Sequence, residues 1–284
     1  MNKSYRIGAY EKAFPEGFNI AYMLEMARNA GYDFFELSID RTEKRIGRLY
    51  SDEYIDNLKK AMDEKKIRVE SICLSALSTY TLGNSDPEKE KRAVEIFRKT
   101  MDFACRLDIP VIQIPACDMP KFDPRDGQTD RRFRDNLKML LKEAQQKGLT
   151  IGLENMENDY MDTIAKSIDL LREMNCACFR LYSDSGNTYN GNRLAGSDYL
   201  EDLEKGRGYY HAFHLKEVNE VRYGGLFYGK GHCDFAGMVR KVWSMGVRQF
   251  VLEYWYTGSP NWLKDLAEAR RMCEEWIRGA MENV

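Results

Sequence analysis

The stretch "TIGLENM", residues 150–156, is a short apolar run closed by an acid. Apolar runs of four to eight residues between turn signals read as buried strands rather than helices. A carboxylate at the end of such a strand is costly and needs a partner. The same arrangement recurs three times. "FRLYSDSGN" (179–187) carries Asp184, "YHAFHLKEV" (210–218) carries His214, and "RQFVLEYW" (248–255) carries Glu253. From 154 to 184 and from 184 to 214 is 30 residues, and from 214 to 253 is 39. Each interval holds about one strand and one helix.

Four β-type runs precede these: "YRIGAYEKA" (5–13), "YDFFELSID" (32–40), "RVESICLSA" (68–76) and "IPVIQIPA" (109–116). Helical patterns alternate with all eight, at roughly 19–31, 51–65, 86–108, 128–147, 163–174, 195–206, 235–245 and 260–281. The helix at 86–108 opens on Asp86-Pro87, an N-cap followed by a proline at the first helical position. Eight strands alternating with eight helices in one run, with no linker or composition break, predict a (β/α)8 barrel formed as one domain over residues 1–284. An open doubly wound sheet is the competing architecture. It would offer a glycine-rich turn after its first strand, and "GAYEKAFPEG" is not one.

Composition agrees with a globular enzyme-sized domain. The 284 residues are 43% hydrophobic and 31% charged, with a net charge of −2. That charge argues against a nucleic-acid surface, and basic runs such as "TDRRFRDNLKMLLKEAQQK" (129–147) read as a solvated helix face. Apolar runs fall well short of the ~18 residues that span a bilayer. The opening "MNKSYRIGAYEKAF" does not read as a secretory signal. Seven scattered cysteines suggest reduced thiols and a cytoplasmic location.

In such a barrel, site residues come from the C-terminal ends of the strands. Glu154, Asp184, His214 and Glu253 occupy corresponding positions on strands 5 to 8. Neighbouring strands lie ~4.8 Å apart, so these side chains can converge on one ion. Period-two alternation puts Gly152, Glu154 and Met156 on one face, as it does Tyr182, Asp184 and Gly186, and then Ala212, His214 and Lys216. Leu153, Leu181, Phe213, Leu215, Leu252 and Tyr254 fall on the other face. The odd spacing of His211 and His214 sends their rings to opposite faces, leaving His211 a packing residue at the strand's start. Three carboxylates and one imidazole suit a divalent ion: Mn²⁺, Zn²⁺ or Co²⁺, with Mg²⁺ also within range. The competing reading, in which each acid pairs with a buried Arg or Lys, would have to hold at four matched positions.

The stretches "GAYEKAFP", "GYDFFELSIDRTEKRIGRL", "SICLSA", "LGNSD", "RRFRDNL", "DSGN", "HLKEV", "GKGHCDF" and "LEYW" resemble the L-ribulose-5-phosphate 3-epimerases, also called L-xylulose-5-phosphate 3-epimerases, of pentose and ascorbate breakdown. These belong to the xylose-isomerase-like, endonuclease-IV-like barrel superfamily. The likeness runs over nearly the whole chain, and the first two stretches are its most specific part. It implies one divalent metal held by Glu154, Asp184, His214 and Glu253, with the two glutamates doubling as an acid–base pair. One would remove the proton on C3 of a 2-ketose and the other return one to the opposite face, through a metal-stabilised cis-enediolate. The same constellation could act on a ketose without phosphate. It could also shift a proton between C1 and C2, as in a hexulose-6-phosphate aldose–ketose isomerase.

Glu36, at the end of strand 2, is expected to bind a substrate hydroxyl or stand behind the ligands, with a surface salt bridge as the alternative. Lys216 shares a face with His214 and is expected to touch substrate or a ligating carboxylate. In the loop after strand 7, "NEVRYGGLFYGKGH", Arg222 and Lys230 are the candidate phosphate contacts. The run after strand 3, "LSTYTLG" (77–83), is uncharged where the resemblance implies a basic run, which points to another anchor or a ketose without phosphate. A metallo-phosphodiesterase related to endonuclease IV would need more than three histidines and a basic face. A sugar sensor on the same barrel would bind metal without exchanging substrate hydrogen. The expected partners are a small ketose or ketose phosphate and a second copy of the chain, with neither nucleic acid nor membrane.

Overall fold

A computed structural model describes residues 4–221 and 224–282. Eight strands run β1 (Arg6–Tyr10), β2 (Phe34–Ser38), β3 (Val69–Cys73), β4 (Val111–Pro115), β5 (Thr150–Glu154), β6 (Phe179–Asp184), β7 (Tyr210–Leu215) and β8 (Gln249–Leu252). Each pairs in parallel with its sequence neighbours, and β8 closes on β1. The closed sheet leaves no unpaired edge. Because helices cover it outside and side chains fill it inside, its strands are buried on both faces, which is why they read as apolar runs.

Alternation sorts the side chains as the sequence predicts. Tyr10, Phe34, Cys73, Val111, Tyr182, Ala212 and Val251 fill the barrel interior. Leu153, Leu181, Phe213, Leu215, Leu252 and Tyr254 join the larger cluster between sheet and helices. The interior mixes large and absent side chains. A Cβ on Gly152 would stand 2.7 Å from the Tyr182 ring, and one on Gly8 would stand 2.4 Å from that of Phe34. Those two glycines make room for the aromatic pair.

The helices follow the predicted segments, among them Ile20–Asn29, Asp52–Lys65, Pro87–Arg106, Thr129–Gln146, Ile164–Met174, Phe235–Ser244 and Trp262–Met281. Asp86 caps its helix as expected, accepting from the Glu88 N–H at 3.0 Å. One helix departs from expectation. "SGNTYNGNRLA" forms a helix over Ser185–Ala195, where the sequence reads as the tail of a strand and a loop, and a separate short helix, Tyr199–Lys205, follows.

The two most distinctive stretches meet at the barrel mouth. Glu11, buried after β1, accepts from both terminal nitrogens of Arg48 at 2.8 and 2.9 Å and from the Ser38 N–H at 2.8 Å. Lys12 pairs with Asp40 at 3.2 Å. This bidentate ion pair ties the loop after β1 to the loop after β2. Beside it opens a cavity of about 1100 Å³ lined by Lys12, Phe18, Asp40, Arg45 and Trp255 among others. Among the described residues, no helix is long and apolar enough to cross a membrane.

Candidate active site

Glu154 and Asp184 are the last residues of β5 and β6, His214 is the last but one of β7, and Glu253 follows β8 directly. The Glu253 N–H donates to the Leu215 carbonyl at 2.9 Å, which extends the sheet's pairing and fixes its backbone. All four side chains are buried, and one ligand atom from each lies within 4.8 Å of the others. His214 Nδ1 is 2.8 Å from Glu253 Oε2 and 3.7 Å from Glu154 Oε1. The structure thus brings together the four residues that the spacing argument grouped.

Asp184 has two tasks. Its Oδ1 accepts from the Asn187 N–H at 2.7 Å and so caps the helix Ser185–Ala195. Its Oδ2 is buried without a hydrogen-bond partner, and an orphaned buried polar atom costs ~1–3 kcal/mol. His214 Nδ1 and Glu253 Oε2 face each other at 2.8 Å beside it. These atoms, converging from three strands, form a donor set that suits a cation. Charge points the same way. Glu36, Glu154, Asp184 and Glu253 are four buried carboxyls, and Lys216 and His214 are the two cationic groups that face them. The group could hold a divalent ion, and its oxygen-rich, single-imidazole donor set fits one.

Lys216 lies inside this cluster, nearly fully buried. Its Nζ is 3.2 Å from Asp184 Oδ1, 3.8 Å from Glu154 Oε1 and 3.9 Å from Glu253 Oε1. Burial pushes the Asp184 carboxyl up to about 8 despite the pull of Lys216. Burial raises Glu154 as well. For Glu253 burial is outweighed by Lys216 and His214, which hold the carboxyl down at about 2. Burial opposes the His214 imidazolium, but Glu36 and the other acids raise it well above the ordinary value.

Glu36 lies beneath the four converging side chains and makes no surface salt bridge. It is fully buried, with Oε1 2.8 Å from His214 Nε2 and Oε2 accepting from Ser71 at 2.6 Å and Tyr182 at 2.7 Å. A surface salt bridge is excluded by this burial, and both oxygens are engaged by neighbouring side chains. The residue stands behind His214. Lys230 is exposed on the loop after β7, and Arg222 lies outside the described residues.

His211 also differs from expectation. Between β6 and β7 the register slips, with Leu181 opposite Tyr210 and Tyr182 opposite Ala212, so His211 is an extra residue. A bulge of this kind breaks strict alternation. Both histidines consequently approach the same tyrosine, with the Tyr182 ring 4.8 Å from His214 and 6.3 Å from His211.

Several groups around the site escaped the sequence reading. Gln113 on β4 donates to Glu154 Oε2, and Asn187 Nδ2 approaches Glu154 Oε1 at 3.5 Å. Asn155 Oδ1 accepts from the Asp184 N–H at 3.1 Å. Gln113 could have been found by the rule that found the others, as a polar residue at the inward phase of an apolar strand. Tyr182 carries no such signal, because its value depends on Glu36 across the barrel, and Ser71 gains its value only as the partner of Glu36 on the neighbouring strand.

Comparison with known proteins agrees with this geometry. Residues 24–276 match the family model of the xylose isomerase-like TIM barrel, and the chain belongs to that family. Over 283 residues it is 31% identical to the L-ribulose-5-phosphate 3-epimerase UlaE of Salmonella typhi, covering 99% of this chain and 96% of that one. UlaE of Escherichia coli (strain ATCC 8739) matches to the same extent. Among solved structures, D-psicose 3-epimerase from Clostridium cellulolyticum H10 superposes with a TM-score of 0.78 at 17% identity, covering 96% of this chain and 99% of that one. An L-ribulose 3-epimerase superposes at 0.77, also at 17% identity, covering 98% and 96%. The chain is an enzyme of the isomerase class, related in sequence to named epimerases.

Proposed function

We propose that this protein is a divalent-metal-dependent 3-epimerase that interconverts L-ribulose 5-phosphate and L-xylulose 5-phosphate. The observation that carries the proposal is the pair of glutamates on non-adjacent strands, Glu154 and Glu253, which flank His214 within one buried cluster. Full-length similarity to enzymes named for this reaction supports it.

Inversion at C3 of a 2-ketose needs a base on one face of the substrate and an acid on the other. The hydrogen on C3 is acidified by the neighbouring carbonyl. One glutamate takes it, and the other returns a proton to the opposite face. The same two groups exchange tasks when the reaction runs backwards. A divalent cation, when bound, supplies Lewis-acid stabilisation of the negative charge that develops on the substrate oxygens. Glu154, Asp184, His214 and Glu253 would hold it. Lys216, whose ammonium lies among the same carboxylates, offers three donors to a substrate oxygen or to Asp184. Gln113 keeps Glu154 in place. Lys230, and Arg222 on the same loop, are assigned to the phosphate.

The uncharged loop after β3, "LSTYTLG" (77–83), favours a second reading in which the ketose carries no phosphate. One experiment separates the two. The protein is incubated in D₂O with Mn²⁺ and a panel of ketoses and ketose 5-phosphates, and deuterium is followed by NMR. Deuterium at C3 of L-ribulose 5-phosphate and L-xylulose 5-phosphate, in preference to the free sugars, is the expected result. Preference for a free ketose selects the second reading. Label at C1 alone would make the enzyme an aldose–ketose isomerase, and no exchange with any sugar would overturn the epimerase reading.

A further inference from the structure

Glu36 stands on β2, across the barrel from β6 and β7, yet it contacts side chains of both. Ser71, Tyr182 and His214 all reach it, and the last two are 146 and 178 residues away in sequence. A carboxylate only accepts hydrogen bonds. Ser71 and Tyr182 therefore donate their hydroxyl protons to Oε2, and the His214 ring donates from Nε2 to Oε1. With Nε2 committed to Glu36, Nδ1 is the nitrogen turned toward the carboxylates, 2.8 Å from Glu253 Oε2 and 3.7 Å from Glu154 Oε1. It is the one that could offer a cation its lone pair.

The backbone is irregular where this network is built. The β2–β3 register slips between Phe35 and Glu36, and the β6–β7 register slips between Leu181 and Tyr182. Such bulges re-aim side chains beside functional sites. The Tyr182 ring packs edge-on against His214 at 4.8 Å, so the imidazole is held by both a ring contact and a hydrogen bond.

We propose that Glu36 is the positioning residue for His214, holding its Nε2–H and its tilt so that Nδ1 faces the carboxylates, and is itself anchored by Ser71 and Tyr182. Its assignment moves from substrate contact to ligand support. The proposal rests on the metal-site reading given above. Carboxylates that orient a ligating histidine typically contribute ~10–100-fold to metal affinity.

The test uses Glu36→Gln, which keeps the shape but removes the charge and the obligatory acceptor, and Tyr182→Phe, which keeps the ring and removes one anchor. In metal-free protein, ¹⁵N-histidine NMR reads the Nε2–H of His214, one of only three histidines. The wild type should show a downfield Nε2–H signal protected from exchange by its bond to Glu36. Glu36→Gln should lose that downfield shift and protection and bind Mn²⁺ ~10–100-fold more weakly by calorimetry, with an unchanged circular dichroism spectrum. Tyr182→Phe should lose less affinity than Glu36→Gln. An unchanged Nε2–H signal and wild-type affinity in Glu36→Gln would overturn the proposal, as would a larger loss in Tyr182→Phe. Failure of the wild type to bind Mn²⁺ would overturn the metal reading instead, and the Nε2–H signal would still decide the role of Glu36.

Discussion

At the scale of single residues, the site is a set of buried polar groups whose partners determine what each can do. Glu154 and Glu253 both contact His214 and Lys216, but they approach from strands separated by β6 and β7. Replacing either with Gln keeps the volume and removes the carboxyl proposed to carry the proton. Each variant should lose ~10²–10⁴-fold of its C3 exchange rate, measured as deuterium incorporation from D₂O. Full activity in either one would rule out a two-base inversion. His211 poses a separate question, because it sits outside the cluster. Burial, with Arg180 adding to it, lowers its pKa below the ordinary 6.5. The native ring thus stays neutral where the unfolded chain's ring is protonated. Its contribution to stability is complete above pH 6.5 and is lost as pH falls through the window below it. His211→Gln should flatten the stability profile between pH 7 and 5. Urea midpoints at several pH values check this, and an unaltered slope would assign the acid sensitivity elsewhere.

At the scale of elements, the helix Ser185–Ala195 shows where sequence patterns stop being informative. Strands were legible because a closed parallel barrel buries both of their faces and so writes them as apolar runs. Outer helices such as Pro87–Arg106 were legible because one apolar stripe faces the sheet, with Ala93, Ile96, Phe97, Met101 and Ala104 buried along it. In "SGNTYNGNRLA" the buried face is polar: Ser185, Asn187, Thr188, Asn190 and Asn192 are all covered. All their polar side-chain atoms but Asn187 Oδ1 find hydrogen bonds, including Asn192 to Asp202 at 2.9 Å and Ser185 to the Lys216 carbonyl at 3.1 Å. No hydrophobic period announces such a helix, because hydrogen bonds take the place of apolar burial. The candidate ligands were readable because a charged or ionisable residue on an apolar strand is anomalous by itself. The supports, Ser71, Tyr182 and Asn155, are ordinary residues until the fold brings them to a ligand. This helix also packs closely enough to be tested. A Cβ on Gly186 would stand 2.4 Å from Val218 Cγ1 and 2.9 Å from the Lys216 carbonyl oxygen. Gly186→Ala must therefore push the first helical turn, and Asp184 with it, away from β7. The expected outcome is destabilisation of ~1–3 kcal/mol together with weaker Mn²⁺ binding, read by urea unfolding and calorimetry. Loss of stability with unchanged affinity would show that the helix and the ligand set are mechanically independent.

At the scale of the whole molecule, the eight strands deliver one apolar layer and, above it, one polar layer whose charges do not balance among themselves. Without a cation, protonation is the available relief, and the Asp184 carboxyl pushed up to about 8 reflects it. Binding a divalent ion requires that proton to leave, so Mn²⁺ addition at pH 7 should release protons and affinity should rise as pH increases toward 8. A ligand that binds only the native state at 100 times its Kd stabilises by about 2.7 kcal/mol. For a chain of this size that is a rise of several °C in Tm, reversed by a chelator. Asp184→Asn tests whether the stabilisation belongs to this layer. Asn caps a helix about as well as Asp, so the helix Ser185–Ala195 should survive while the charge on the ligand is lost. The variant should fold, keep a circular dichroism spectrum like the wild type's, and show little Mn²⁺-dependent rise in Tm and little proton release. A full Mn²⁺ response in Asp184→Asn would place the stabilising ion at some other part of the molecule.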